Sequence, residues 1–212
     1  SQLIPGDIIL RKEYELPHIV ITAQRVITTA PYGSCYTVHA MLAMGDGFIG
    51  HATNEIIEGI TREASPPDSR PRSGVDREYI THPYPKLTAL VYRPTEPSAA
   101  ISAASTMNFF ISQDMPYGFT HPRFAGTHLS YFGTKAHLLS RRVAAGRIPV
   151  SDRRMMCSEA VVFSYQGEEY PYIYLDATAT TPMRLENYLN TDRFFTLVGT
   201  IEYDLPAGTV MI

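Results

Sequence analysis

Apolar and polar positions change period several times along this chain, and each change marks an element. Ile4-Pro-Gly-Asp-Ile-Ile-Leu10 reads as a turn followed by a short buried strand. Leu16 to Ala30 carries apolar residues at 16, 19, 20, 23, 26, 27 and 30, the spacing of a helix. Pro31-Tyr-Gly-Ser34 breaks it. Two apolar runs follow, Val38 to Met44 and Phe48 to Ala52, on either side of Gly45-Asp46-Gly47. Asp-Gly between short apolar segments predicts a hairpin, because glycine supplies the positive φ of a tight turn.

Glu55 to Arg62 alternates as a third strand, and Ser65 to Gly74, with three prolines, reads as a surface loop. Leu87 to Arg93 is a strand. Thr95-Glu-Pro-Ser98 starts a helix running to about Gln113, with proline in the first turn, where a missing N–H costs nothing. Asp114 to His121 is a loop rich in aromatic and turn residues, and Leu129 to Ala145 is a basic amphipathic helix stopped by Gly146. Ser151 or Asp152 is the expected cap of a helix carrying Met156 to Phe163. Thr181-Pro182 opens a short helix to Leu189, and Phe194 to Tyr203 is a closing strand. No internal repeat or low-complexity linker interrupts the 212 residues, so a single domain of α/β or α+β class is expected.

Composition narrows the function classes. With 44% hydrophobic residues the chain can bury a proper core. A net charge of −3 and a pI near 6.1 give no general reason to expect nucleic acid or an acidic membrane as partner. No apolar run approaches the roughly 20 residues that span a bilayer. The chain opens without a charged-then-apolar signal pattern. Two cysteines, Cys35 and Cys157, are too few for a disulfide scaffold. They can pair with each other, or one can be kept reduced for chemistry.

The candidate chemistry gathers around the hairpin. His39 stands near the outer end of its first strand and His51 near that of its second, so folding brings both imidazoles to one end of one sheet. Cys157 stands where a helix is expected to begin. Helix N-termini and imidazoles both favour thiolates, and unpaired backbone N–H groups there can hold an oxyanion. A histidine can then carry the proton to and from the sulfur, with a second histidine fixing its tautomer.

This order of motifs resembles the permuted NlpC/P60 peptidases, papain-like enzymes whose nucleophile follows the histidine in sequence. Gly6-Asp-Ile-Ile-Leu10 is similar to that family's opening Gly-Asp strand. Met115-Pro-Tyr-Gly-Phe119 resembles its Pro-Tyr-Asp segment, with Gly118 in place of aspartate. Met156-Cys-Ser-Glu159 resembles its Tyr-Cys-Ser-Glu, with methionine for tyrosine. The twelve-residue step from His39 to His51, around Gly45-Asp-Gly47, also resembles the lecithin:retinol acyltransferase branch, from whose Asn-Cys-Glu-His the cysteine motif departs. The resemblance implies a papain-like α+β fold, a central antiparallel sheet packed against helices, with the nucleophile at a helix N-terminus. It also implies Cys157 as nucleophile, His39 as general base and His51 as orienting third member, with neither cofactor nor metal.

The activity so implied is a cysteine amidase or endopeptidase on peptidoglycan peptides. A bacterial effector exported by a specialised route, met by an inhibitor protein, would fit it. Two other readings stay open: a lipid ester hydrolase or acyltransferase, and a non-catalytic binding module that keeps the fold. Within the site, Asn54 or Glu55 can replace His51 as orienting group, and Cys35 is the rival nucleophile. Two histidines and a cysteine also match a zinc ligand set, without the acidic spacing of a metalloprotease helix. Tyr117 is a candidate for the cleft mouth or the core. His82, His121, His128 and His137 have no metal-like spacing. The basic residues Lys135, Arg141, Arg142, Arg147, Arg153 and Arg154 read as a solvated face or an anion-binding one.

Overall fold

A computed structural model describes residues 2–14, 36–54, 73–81, 86–117, 155–166, 171–177 and 180–204. These residues form an α+β arrangement of six antiparallel strands and three helices. The strands are β1 (Ile8–Lys12), β2 (Thr37–Gly45), β3 (Phe48–Asn54), β4 (Ser73–Tyr79), β5 (Lys86–Pro94) and β6 (Phe195–Asp204), in the sheet order β4-β3-β2-β1-β5-β6. The helices are α1 (Pro97–Ser112), α2 (Cys157–Ser164) and α3 (Pro182–Thr191).

The β2–β3 hairpin turns where Gly45, Asp46 and Gly47 take φ of 90°, 52° and 78°. Three successive left-handed residues suit two glycines and an aspartate and few other sequences. β1 lies inside the sheet, paired to β2 and β5. Its Ile8, Ile9 and Leu10 are all fully buried, because apolar layers cover both faces. On one face Ile8, Leu10, Ala40, Leu42, Ala52 and Tyr92 pack with Met107 of α1, Ala160 and Val161 of α2 and Leu185 of α3. On the other, Ile9, Met41, Ala43, Ile49, Leu87 and Ala89 form a second core with Ile201 and Tyr203 partly buried against it.

The Gly6-Asp7 pair has structural work at the entry to β1. Gly6 sits at φ +89°, where an added Cβ would lie 2.5 Å from the Ala100 backbone of α1. Asp7 is fully buried and receives Arg93 Nε and Nη2, each at 2.7 Å, in a forked pair. Its second oxygen also accepts the Ile4 N–H at 3.0 Å. Between α3 and the sheet, Lys12 Nζ meets Glu186 Oε1 and Oε2 at 2.7 and 2.6 Å, and the Thr37 hydroxyl donates to the same carboxylate.

The helix expected from Thr95 forms from Pro97, and α3 is capped by Thr181, whose hydroxyl accepts the Arg184 N–H at 3.2 Å. Two expectations are corrected. Ser73 and Gly74, read as loop, begin the edge strand β4, whose charged Asp76, Arg77 and Glu78 hide its period. The cap of α2 is Met156, neither Ser151 nor Asp152; Glu159 accepts the Met156 N–H at 3.3 Å and does what a capping side chain would do. The helices expected over 16–30 and 129–145, the strand over 55–62 and most of the loop over 65–74 lie outside the described residues.

Buried phenols make the fold sensitive to alkali. Burial, then the Glu186 carboxylate, pushes Tyr92 up to about 12, and its hydroxyl donates to Asn190 Oδ1 at 2.7 Å. Burial also pushes Tyr188 and Tyr203 up to about 12 and raises Tyr165. A raised phenol keeps its proton in the folded state after the unfolded chain has lost it. Its stabilising share is therefore complete below pH ~10 and lost as pH rises towards 12. Denaturation midpoints should fall between pH 10 and 12 in step with tyrosinate absorbance; a flat stability profile there would contradict the assignment.

Candidate active site

Cys157 is the first residue of α2, as the sequence leads one to expect. The entry to this helix is stitched in place by backbone pairing: Met155 N–H donates to the Pro116 carbonyl at 2.9 Å, and Val75 N–H of β4 to that of Met115 at 2.7 Å. At the other end of α2 the Tyr165 hydroxyl donates to the Gly6 carbonyl. The N-terminus of α2 therefore lies at the end of the sheet where β2 begins and β3 finishes. Cys157 is 2% exposed and a free thiol. Two side chains of the Cys-Ser-Glu triplet make structural contacts. Ser158 Oγ donates to the Thr180 carbonyl at 2.5 Å, and Glu159 holds the helix start. Cys35 lies outside the described residues.

The two histidines meet. His39 Nε2 and His51 Nδ1 are 3.0 Å apart, with the rings nearly perpendicular at 86° and their centroids 5.2 Å apart. The hairpin register explains this. Leu42 faces Gly50, so two steps along the same face His51 lies diagonal to His39, within reach of two ring side chains. Both are sealed from solvent, at 1% and 0% exposure.

Sequence reasoning missed the group behind them. Glu78 of β4, 5% exposed, places Oε1 3.8 Å from His51 Nε2. That is ion-pair range, beyond a hydrogen bond. Register accounts for it: Ile49 faces Glu78 and His51 faces Asp76, so both acids share the face of the imidazoles. Val75-Asp-Arg-Glu-Tyr79 sets three charged residues in a row, so no strand period marks Glu78 in the sequence.

Strand alternation also separates the sulfur from the imidazoles. Val38 forms a bulge opposite the Arg11–Lys12 step, which leaves Thr37 beside Lys12 on the helix side and His39 paired with Arg11. His39 continues the row of Met41 and Ala43, and His51 that of Ile49, the row of the second core. The body of α2 packs on Ala40, Leu42 and Ala52, the first core. Cys157 and His39 thus share an end of the sheet and belong to opposite faces of it, and among the described residues the Cys157 sulfur makes no hydrogen bond.

Tyr117 bridges Met155 and packs against the first core. Glu55, the five other histidines and the basic residues at 135, 141, 142, 147, 153 and 154 lie outside the described residues. Among the described residues no three His, Cys, Asp or Glu side chains are grouped to hold a metal ion, and no helix is long and apolar enough to cross a membrane. Comparison with known protein families, curated proteins and solved structures finds no match to this chain.

Proposed function

We propose that this protein is a papain-like cysteine hydrolase that works through a thioester. The observation that carries the reading is the buried imidazole pair, joined through His39 Nε2 and His51 Nδ1 at 3.0 Å. A pair linked through that atom gives His39 Nδ1 the part of proton acceptor. Cys157 supports it from the helix terminus at the same end of the sheet. In the proposed reaction His39 Nδ1 takes the thiol proton and the sulfur attacks an amide or ester carbonyl. The Cys157 N–H steadies the oxyanion. Collapse breaks the C–N or C–O bond, and the imidazolium returns its proton to the leaving group. Water, deprotonated by His39, then attacks the thioester, releasing the acid and the thiol. For this the sulfur approaches His39 round the Thr37 end of β2. With Cys157 2% and His39 1% exposed, a carbonyl enters only when neighbouring chain withdraws.

By resemblance of motifs, the leading substrate is a peptide amide of peptidoglycan, with lipid esters as the second class. One observation favours a non-catalytic module instead: alternation assigns His39 and the packing face of α2 to opposite sides of the sheet. The deciding experiment incubates wild type and Cys157→Ala with peptidoglycan, phospholipid and protein substrates and weighs the products by mass. Cleavage of one class by wild type only is expected. Cleavage that survives Cys157→Ala, or none of any class, contradicts the proposal.

A further inference from the structure

We infer that Glu78 is the positioning residue of the imidazole pair, its carboxylate selecting the tautomers that leave His39 Nδ1 able to accept a proton. The inference rests on the hydrolase reading for its catalytic meaning. A neutral imidazole carries one N–H and one lone pair. Across the 3.0 Å contact between His39 Nε2 and His51 Nδ1, one ring donates and the other accepts, so two orders exist.

In the first order His51 carries its proton on Nε2, facing Glu78 Oε1 at 3.8 Å. Its Nδ1 lone pair then accepts from His39 Nε2–H, and His39 Nδ1 carries a lone pair, the form that can accept a proton. In the second order His51 Nδ1–H donates to His39, and a His51 lone pair points at the carboxylate. His39 then bears its proton on Nδ1 and is no base there. Facing an anion with a lone pair is unfavourable anywhere and more so at 0–5% exposure, where water screens little. The carboxylate therefore selects the first order.

Among the described residues Asp76 also lies on this side, facing His51 across the β3–β4 register, and its Oδ1 accepts the Arg77 backbone N–H at 2.7 Å. Arg77 itself leaves this face and stacks its guanidinium 4.3 Å from the centroid of the Phe48 ring. Arg11, opposite His39 in the β1–β2 register, is engaged by Glu13 at 2.9 Å. The Glu78 Oε1 charge, 3.8 Å from His51 Nε2, biases the direction of the relay.

The test is nitrogen-15 spectroscopy of the histidine rings in the intact chain at neutral pH. Expected in wild type is a proton on Nε2, and none on Nδ1, for both His39 and His51. Glu78→Gln, whose amide can donate as well as accept, should populate Nδ1–H on both rings; Glu78→Asp should restore the wild-type pattern. A wild-type His51 carrying a proton on Nδ1, neutral or doubly protonated, would overturn the inference, and so would a Glu78→Gln pattern identical to wild type. The wild-type spectrum decides even if a variant does not fold. Alkylation of Cys157 that ignores His39→Ala would instead remove the hydrolase reading, and leaves the tautomer result to be judged alone.

Discussion

Replacing Lys12 by methionine is expected to destabilise the fold by about 3–5 kcal/mol, because it strands a buried carboxylate. Lys12 and Glu186 are 6% and 7% exposed and meet at 2.6 Å, with the Thr37 hydroxyl on the same oxygen. They tie β1 and β2 to α3, so the loss should loosen that helix first. The converse, Glu186→Leu, leaves a buried ammonium and should cost a similar amount. The double variant Lys12→Met, Glu186→Leu removes both charges and should recover most of the loss, since a well-packed apolar pair commonly equals a buried ion pair. Denaturant midpoints of the four proteins measure this as a double-mutant cycle. Strictly additive losses would show that the two charges do not depend on each other.

Much of this architecture is legible in local sequence, where one residue type answers one backbone need. Gly45-Asp46-Gly47 announces the hairpin because three left-handed residues in a row are required there. Pro97 and Thr181-Pro182 mark helix starts for the same kind of reason. The parts that resist reading are long-range. β4 hides because an edge strand carries charges, and with it goes the carboxylate beside His51. The cap of α2 misleads because Glu159 reaches back from inside the helix, so no capping residue is needed before it. Alternation along 39–43 and 48–53 puts both histidines on one face, and that much is local. Which face receives α2 is decided elsewhere, by Tyr165 at Gly6 and by the apolar side of the helix.

The Gly-Asp and Cys-Ser-Glu motifs divide in the same way. Gly6, Asp7, Ser158 and Glu159 all hold backbone or helices in place. Their contacts are accounted for by the fold, so they carry no argument for catalysis. The catalytic claim rests on Cys157 and the imidazole pair, and on their acting together.

Alkylation of Cys157 by a small haloacetamide at neutral pH, followed by mass in wild type and His39→Ala, tests that claim most directly. Labelling of the wild-type sulfur is expected despite its burial, at a rate that falls by ~10-fold or more without the imidazole. Equal rates in the two proteins would mean that the sulfur and His39 stay on their separate faces of the sheet, and would leave a fold without the reaction.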